Sequence, residues 1–86
     1  MKVARTETFK KAWQQLTEVQ KAQAHKALEN LMADMRYPAL RVKKIKSTTG
    51  IWEARVNQSI RMTFQIEDDT IILRNIGQHD ETLGRP

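Results

Sequence analysis

Apolar residues recur at helical spacing up to Met35 and at alternating spacing afterwards, so the chain changes character once, near Pro38. Phe9, Ala12, Trp13 and Leu16 follow one another at intervals of three and four, while Lys10, Lys11, Gln14 and Gln15 occupy the other side. This predicts a short amphipathic helix from about Glu7, with an aromatic stripe turned to the core. Thr17 and Gln20 have the spacing of a capping box, which starts a second helix there. Val19, Ala24, Ala27, Leu28, Leu31, Met32 and Met35 supply its apolar face. Pro38 stops it near Arg36, because the residue before a proline is pushed out of helical geometry. Lys2 to Arg5 reads as a short strand, and His25 as a solvated or half-buried residue in mid-helix.

Beyond Pro38 the period is two. Leu40 to Lys46 is a candidate strand whose alternation slips at Lys43 and Lys44, as at a bulge or an edge. Ser47 to Gly50 is a turn, followed by WEARVN, IRMTFQI and TIILRNI, which are separated by Asn57-Gln58-Ser59 and by Asp68-Asp69. A helix pair followed by an antiparallel meander predicts an α+β domain over residues 1–86, with the N-terminal strand and two helices packed on one face of a sheet of about four strands.

The alternation also predicts a register. Trp52, Ala54 and Val56 in one run and Ile60, Met62, Phe64 and Ile66 in the next are all even-numbered. If both sets face the core, pairing joins residues of like parity, and partner numbers sum to 116. Arg55 then opposes Arg61, and Glu53 opposes Thr63. Two arginines facing each other across a sheet repel by roughly 0.2 to 1 kcal/mol, so folding does not ask for them. An anion such as phosphate turns that repulsion into a two-pronged clamp of forked donors. In TIILRNI, Ile71, Ile72 and Leu73 are all apolar, so parity is unreadable there and both faces are expected to be covered. That strand exits at Gly77 and delivers Gln78, His79, Asp80 and Glu81 to one end of the sheet.

Composition narrows the chemistry. The net charge is +5, yet Arg36 to Arg61 holds seven basic residues against the single acid Glu53. A concentrated basic segment in a balanced remainder points to a polyanion, with nucleic acid foremost. The absence of cysteine excludes thiolate metal sites, and the two histidines are 54 positions apart, so no metal or other cofactor is expected. No apolar run reaches the length of a membrane span or of a secretory signal, which predicts a cytoplasmic protein without a membrane partner.

The order helix pair, LRVKKIK, GIWEARVNQSIRMTFQI, acidic turn and TIILRNIGQHDETL resembles the RelE/ParE superfamily of toxins from bacterial toxin–antitoxin pairs. The likeness runs over nearly the whole chain and is carried by order and spacing together. It implies a compact toxin held inactive by a cognate antitoxin. In the RelE-like branch such toxins cleave messenger RNA, often on the ribosome; other members inhibit DNA gyrase. Arg61 matches the position of the family's phosphate-binding arginine, and His79 matches the C-terminal site where some members carry histidine and others tyrosine. Arg55 corresponds less closely. No aromatic residue follows Phe64, so a C-terminal tyrosine acid is absent.

RNA cleavage without metal uses the 2′-hydroxyl as nucleophile and needs one proton removed, one supplied and the added negative charge stabilised. Arg55 and Arg61 suit the charge role, and an imidazole such as that of His79 suits proton transfer near neutral pH. Asp80 is placed to orient it, and Glu53, Asp80 and Glu81 are candidates for the second proton-transfer group. Arg41, Lys43, Lys44 and Lys46 are expected to track the RNA backbone. Two other functions fit the same residues: gyrase inhibition, with His79 in an interface, and noncatalytic RNA binding.

Overall fold

A computed structural model describes residues 1–86. The first strand, β1 (Lys2–Arg5), leads through Thr6 into α1 (Glu7–Gln14). The Thr6 hydroxyl accepts from the Phe9 amide, closing the first helical turn. A capping box at Thr17 and Gln20 opens α2 (Glu18–Ala33), as the spacing predicts. This helix ends three residues before the predicted Arg36. Asp34 adopts an extended conformation and its carboxylate accepts from the Arg36 amide, so the chain leaves the helix before Pro38 can act.

The predicted strand from Leu40 to Lys46 is mostly something else. Pro38–Leu40 forms a single 3₁₀ turn, Leu40 drops into the core, and Arg41 takes a left-handed conformation at φ 46°. Only Lys43–Lys44 remains as strand β2, at the edge. Then come β3 (Trp52–Arg55), β4 (Ile60–Glu67) and β5 (Thr70–Gln78), followed by a short helix, α3 (His79–Gly84), where the sequence suggested only a departing segment.

The sheet has five strands in the order β1-β5-β4-β3-β2, and β1 lies parallel to β5, pairing Lys2 to Arg5 with Thr70 to Leu73. The expected antiparallel sheet of about four strands is therefore a mixed sheet of five. The apolar run Ile71-Ile72-Leu73 accounts for the difference, since a strand apolar on both faces is stable only as an interior strand with neighbours on each side. The β3–β4 register is the predicted one: Trp52 opposes Phe64, Glu53 opposes Thr63, Ala54 opposes Met62 and Arg55 opposes Arg61.

Between β4 and β5 the register shifts after Thr63. Thr63 opposes Asn75 but Phe64 opposes Leu73, leaving Arg74 as the extra residue of a bulge. The bulge changes parity, so Ile71, Leu73 and Ile76 all reach the core. They pack with Phe9, Leu16, Ala24, Ala27, Leu31, Leu40, Ala54, Ile60, Met62 and Phe64 in one cluster. Val19, read as part of the apolar face of α2, is 68% exposed instead. It stands in the first turn of α2, and the buried positions of that helix begin only at Ala24.

Candidate functional site

The odd-numbered residues of β3 and β4 point away from α1 and α2, and there the candidate residues meet. Lys43, Glu53, Thr63 and Asn75 stand in one row across β2, β3, β4 and β5; Arg55, Arg61 and Gly77 stand in the next. The two arginines converge on one acceptor. Arg55 Nε and an Arg61 terminal nitrogen donate to the Asn57 carbonyl at 3.3 and 2.8 Å. That Arg61 nitrogen also reaches the carbonyls of Gln58 and Ile60. Carbonyl dipoles thus offset the repulsion between the guanidiniums, whose remaining N–H groups have no protein partner.

The Asn57 carbonyl is held where it is by its own side chain. Asn57 Oδ1 accepts from the amides of Ser59 and Ile60 and from the Ser59 hydroxyl, closing an Asx-type turn. Its amide nitrogen donates to Gln23 Oε1 at 2.7 Å, tying the hairpin tip to α2. By sequence alone Asn57-Gln58-Ser59 reads as a spacer between two strands. The signal was there, because Asn followed two residues later by Ser is a turn former, but its use as a seat for two arginines depends on the pairing.

His79 belongs to the same end of the sheet. Ile60 opposes Gln78, and the next amide, that of His79, donates to the Ser59 carbonyl at 2.8 Å. The hairpin tip therefore holds the arginines through Asn57 and the histidine through Ser59. The His79 side chain is 49% exposed, and its Nδ1 lies 3.0 Å from Asp80 Oδ1, leaving Nε2 free for another partner. The strand runs one residue past Gly77, which has a packing role. A Cβ at Gly77 would stand 3.0 Å from the buried Thr82 hydroxyl, so glycine lets α3 lie close on β5.

Glu53 and the lysines are distributed differently from the expectation. Glu53 is only 5% exposed and sits 3.8 Å from Lys43 Nζ, so it is covered beside the arginine row and does not open onto it. Successive residues of a strand face opposite ways, and Lys44 accordingly lies over the Trp52 ring at 5.2 Å, on the other face from Lys43. Arg41 and Lys46 are exposed on the segments flanking β2. The basic segment is thus divided between two faces, with Lys43, Arg55 and Arg61 sharing one.

Residues after α3 fold back over that face, which the sequence did not suggest. The Pro86 carbonyl accepts from Thr63 Oγ1 at 3.0 Å and from Arg74 Nε at 3.1 Å, and Asn75 donates to the Arg85 carbonyl. Thr63 is fully buried as a result. On the helical layer the exposed His25 meets Trp13 edge-on at 5.1 Å, and Trp13 stacks on Phe9.

No family model and no curated protein matches this sequence. Solved structures do match its fold. The RelB–RelE antitoxin–toxin complex from Methanococcus jannaschii superposes with a TM-score of 0.75 at 19% identity, over 96% of this chain and 99% of the matched one. The intact E. coli RelBE complex gives 0.72 at 18% identity, over 91% and 95%. YafQ from E. coli strain BL21(DE3) gives 0.79 at 13% identity, over 93% and 94%. The chain has the fold of the RelE-type toxins over at least 91% of its length.

Proposed function

We propose that this chain, folded as the RelE-type toxins are, is the toxin of a toxin–antitoxin pair and acts as a messenger RNA endoribonuclease that needs only protein side chains. The observation that carries the reading is the shared seat at the hairpin tip. Arg55 and Arg61 converge on the Asn57 carbonyl while His79 is held by the Ser59 carbonyl two residues on. Unused guanidinium N–H groups and a free imidazole nitrogen, carried by residues tied to one hairpin tip, are the groups that cleavage of a phosphodiester requires.

In this reading Arg55 and Arg61 grip the nonbridging oxygens of the scissile phosphate and offset the charge gained in the transition state. The Asp80 carboxylate accepts from Nδ1–H of His79, which fixes the tautomer with Nε2 as acceptor. Nε2 takes the proton of the 2′-hydroxyl, O2′ attacks phosphorus, and the bond to the 5′-oxygen breaks. The 5′-oxygen leaves with a proton drawn from solvent, giving a 2′,3′-cyclic phosphate and a 5′-hydroxyl. Lys43 guides the adjacent backbone, and Glu53 holds Lys43 in place. The partner that restrains the toxin is a cognate antitoxin protein; the RelE neighbours were solved bound to RelB.

Induction in cells lacking the antitoxin, followed by primer extension on abundant transcripts, tests the proposal. Cuts ending in 2′,3′-cyclic phosphate are expected with the native chain and are lost in His79→Ala and Arg61→Ala, each of which retains antitoxin binding. Growth arrest with intact messages and disturbed supercoiling would instead assign the gyrase as target and overturn it.

A further inference from the structure

A single hydrogen bond joins α2 to the strands and their turns, and it ends on the residue that seats the two arginines. Asn57 Nδ2 donates to Gln23 Oε1 at 2.7 Å, across 34 positions of sequence. Otherwise α2 is held by apolar burial, through Ala24, Ala27 and Leu31. Apolar contact is non-directional, so it keeps α2 on the sheet without orienting a polar side chain at the hairpin tip. That task falls to Gln23.

The Asn57 carboxamide has one workable orientation. Its Oδ1 accepts from the backbone amides of Ser59 and Ile60, which can only donate, so Nδ2 must point away from the turn. There it meets Gln23, which is exposed and has no other hydrogen-bond partner. An acceptor at that point favours the observed orientation. A donor there favours the reverse, in which Nδ2 is turned onto two backbone N–H groups and the turn is undone. The Asn57 carbonyl, on which Arg55 Nε and an Arg61 terminal nitrogen converge, is carried by this turn. Gln23 therefore stands one residue removed from both guanidiniums and bonds to neither.

We propose that Gln23 is a positioning residue of the site: its Oε1 fixes the Asn57 side chain and, through the Asn57 carbonyl, the placement of Arg55 and Arg61. The inference rests on the endoribonuclease reading and adds to it a residue from the helical layer.

Three substitutions test it. Gln23→Glu keeps an acceptor, Gln23→Ala removes it, and Gln23→Lys puts only donors in its place. All three introduce good helix formers at an exposed position, so urea midpoints are expected to match that of the native chain. Single-turnover cleavage of a message, free and on translating ribosomes, at several protein concentrations separates the maximal rate from half-saturation. The maximal rate is expected to fall about tenfold in Gln23→Ala, as for a small misplacement of a reacting group, and further in Gln23→Lys. Gln23→Glu keeps the native rate. Half-saturation in Gln23→Ala stays within about twofold of the native value, because the lost interaction acts on the transition state. Solvent exchange of the Arg55 Nε proton, followed by NMR, reads the seat without catalysis: slow in the native chain and Gln23→Glu, faster in Gln23→Lys. Equal maximal rates in all four proteins overturn the inference and leave the endoribonuclease reading intact. So does a loss in Gln23→Glu as large as in Gln23→Ala, or a midpoint lowered in step with the rate, which assigns Gln23 to stability. A change in half-saturation alone makes Gln23 an RNA contact and overturns it too. A native chain that cuts neither form of the message removes the endoribonuclease reading and the positioning role together.

Discussion

Asn57 makes four side-chain hydrogen bonds, and its carbonyl accepts from both arginines of the site. Asn57→Ala removes the turn, the tether to Gln23 and the fixed position of that carbonyl at once. A loss of about 1 to 2 kcal/mol in urea unfolding is expected, since the partners left behind are only partly buried and water replaces some of the bonds. If the chain is the endoribonuclease proposed above, cleavage falls further than stability does, because the guanidiniums then repel across the pair without a common acceptor. A variant that unfolds normally and cuts normally would show that the arginines need no such seat. The arginine pair was legible from parity alone, as a local pattern on two neighbouring strands. The role of Asn57 was not, because its carbonyl becomes an acceptor for Arg55 and Arg61 only when the hairpin has closed.

At the level of elements, α3 matters because it begins with His79 and is anchored at both ends. Its first amide is bound to the Ser59 carbonyl, and the residues just after it are bound to Thr63, Arg74 and Asn75. Gly77 sets how closely it lies on the sheet. In Gly77→Ala the new methyl meets Thr82 Oγ1, so α3 must give way by a few tenths of an ångström. The expected cost is about 1 kcal/mol in thermal unfolding. If His79 is the proton-transfer group proposed above, cleavage falls by about tenfold or more, since displacement of such a group is penalised steeply. Equal cleavage by Gly77→Ala and the native chain would show that the position of α3 is unimportant. The helix itself escaped the sequence because six residues are too few for a periodic signal and its stability comes from docking, not propensity.

For the molecule as a whole, the decisive quantity is which face each cation occupies. Lys43, Arg55 and Arg61 share the outer face, whereas Lys44 covers Trp52 on the opposite one. If three phosphates are neutralised there, the logarithm of RNA affinity should fall with the logarithm of salt with a slope of about −2. Lys43→Ala is expected to reduce that slope by about 0.7, and Lys44→Ala to leave it unchanged, as titrations at several salt concentrations would read. A similar effect of both lysines would mean that RNA follows the basic segment along the chain without regard to face. The sequence by itself determined the helix pair, the β3–β4 register and the opposition of Arg55 and Arg61, because periodicity and parity are properties of contiguous residues. Only the tertiary structure decided that β1 completes the sheet, that a bulge at Arg74 turns Ile76 into the core, that Glu53 is covered, and that His79 shares a hairpin tip with the arginines. Those outcomes depend on which distant strands become neighbours, and burial in the assembled core settles that choice.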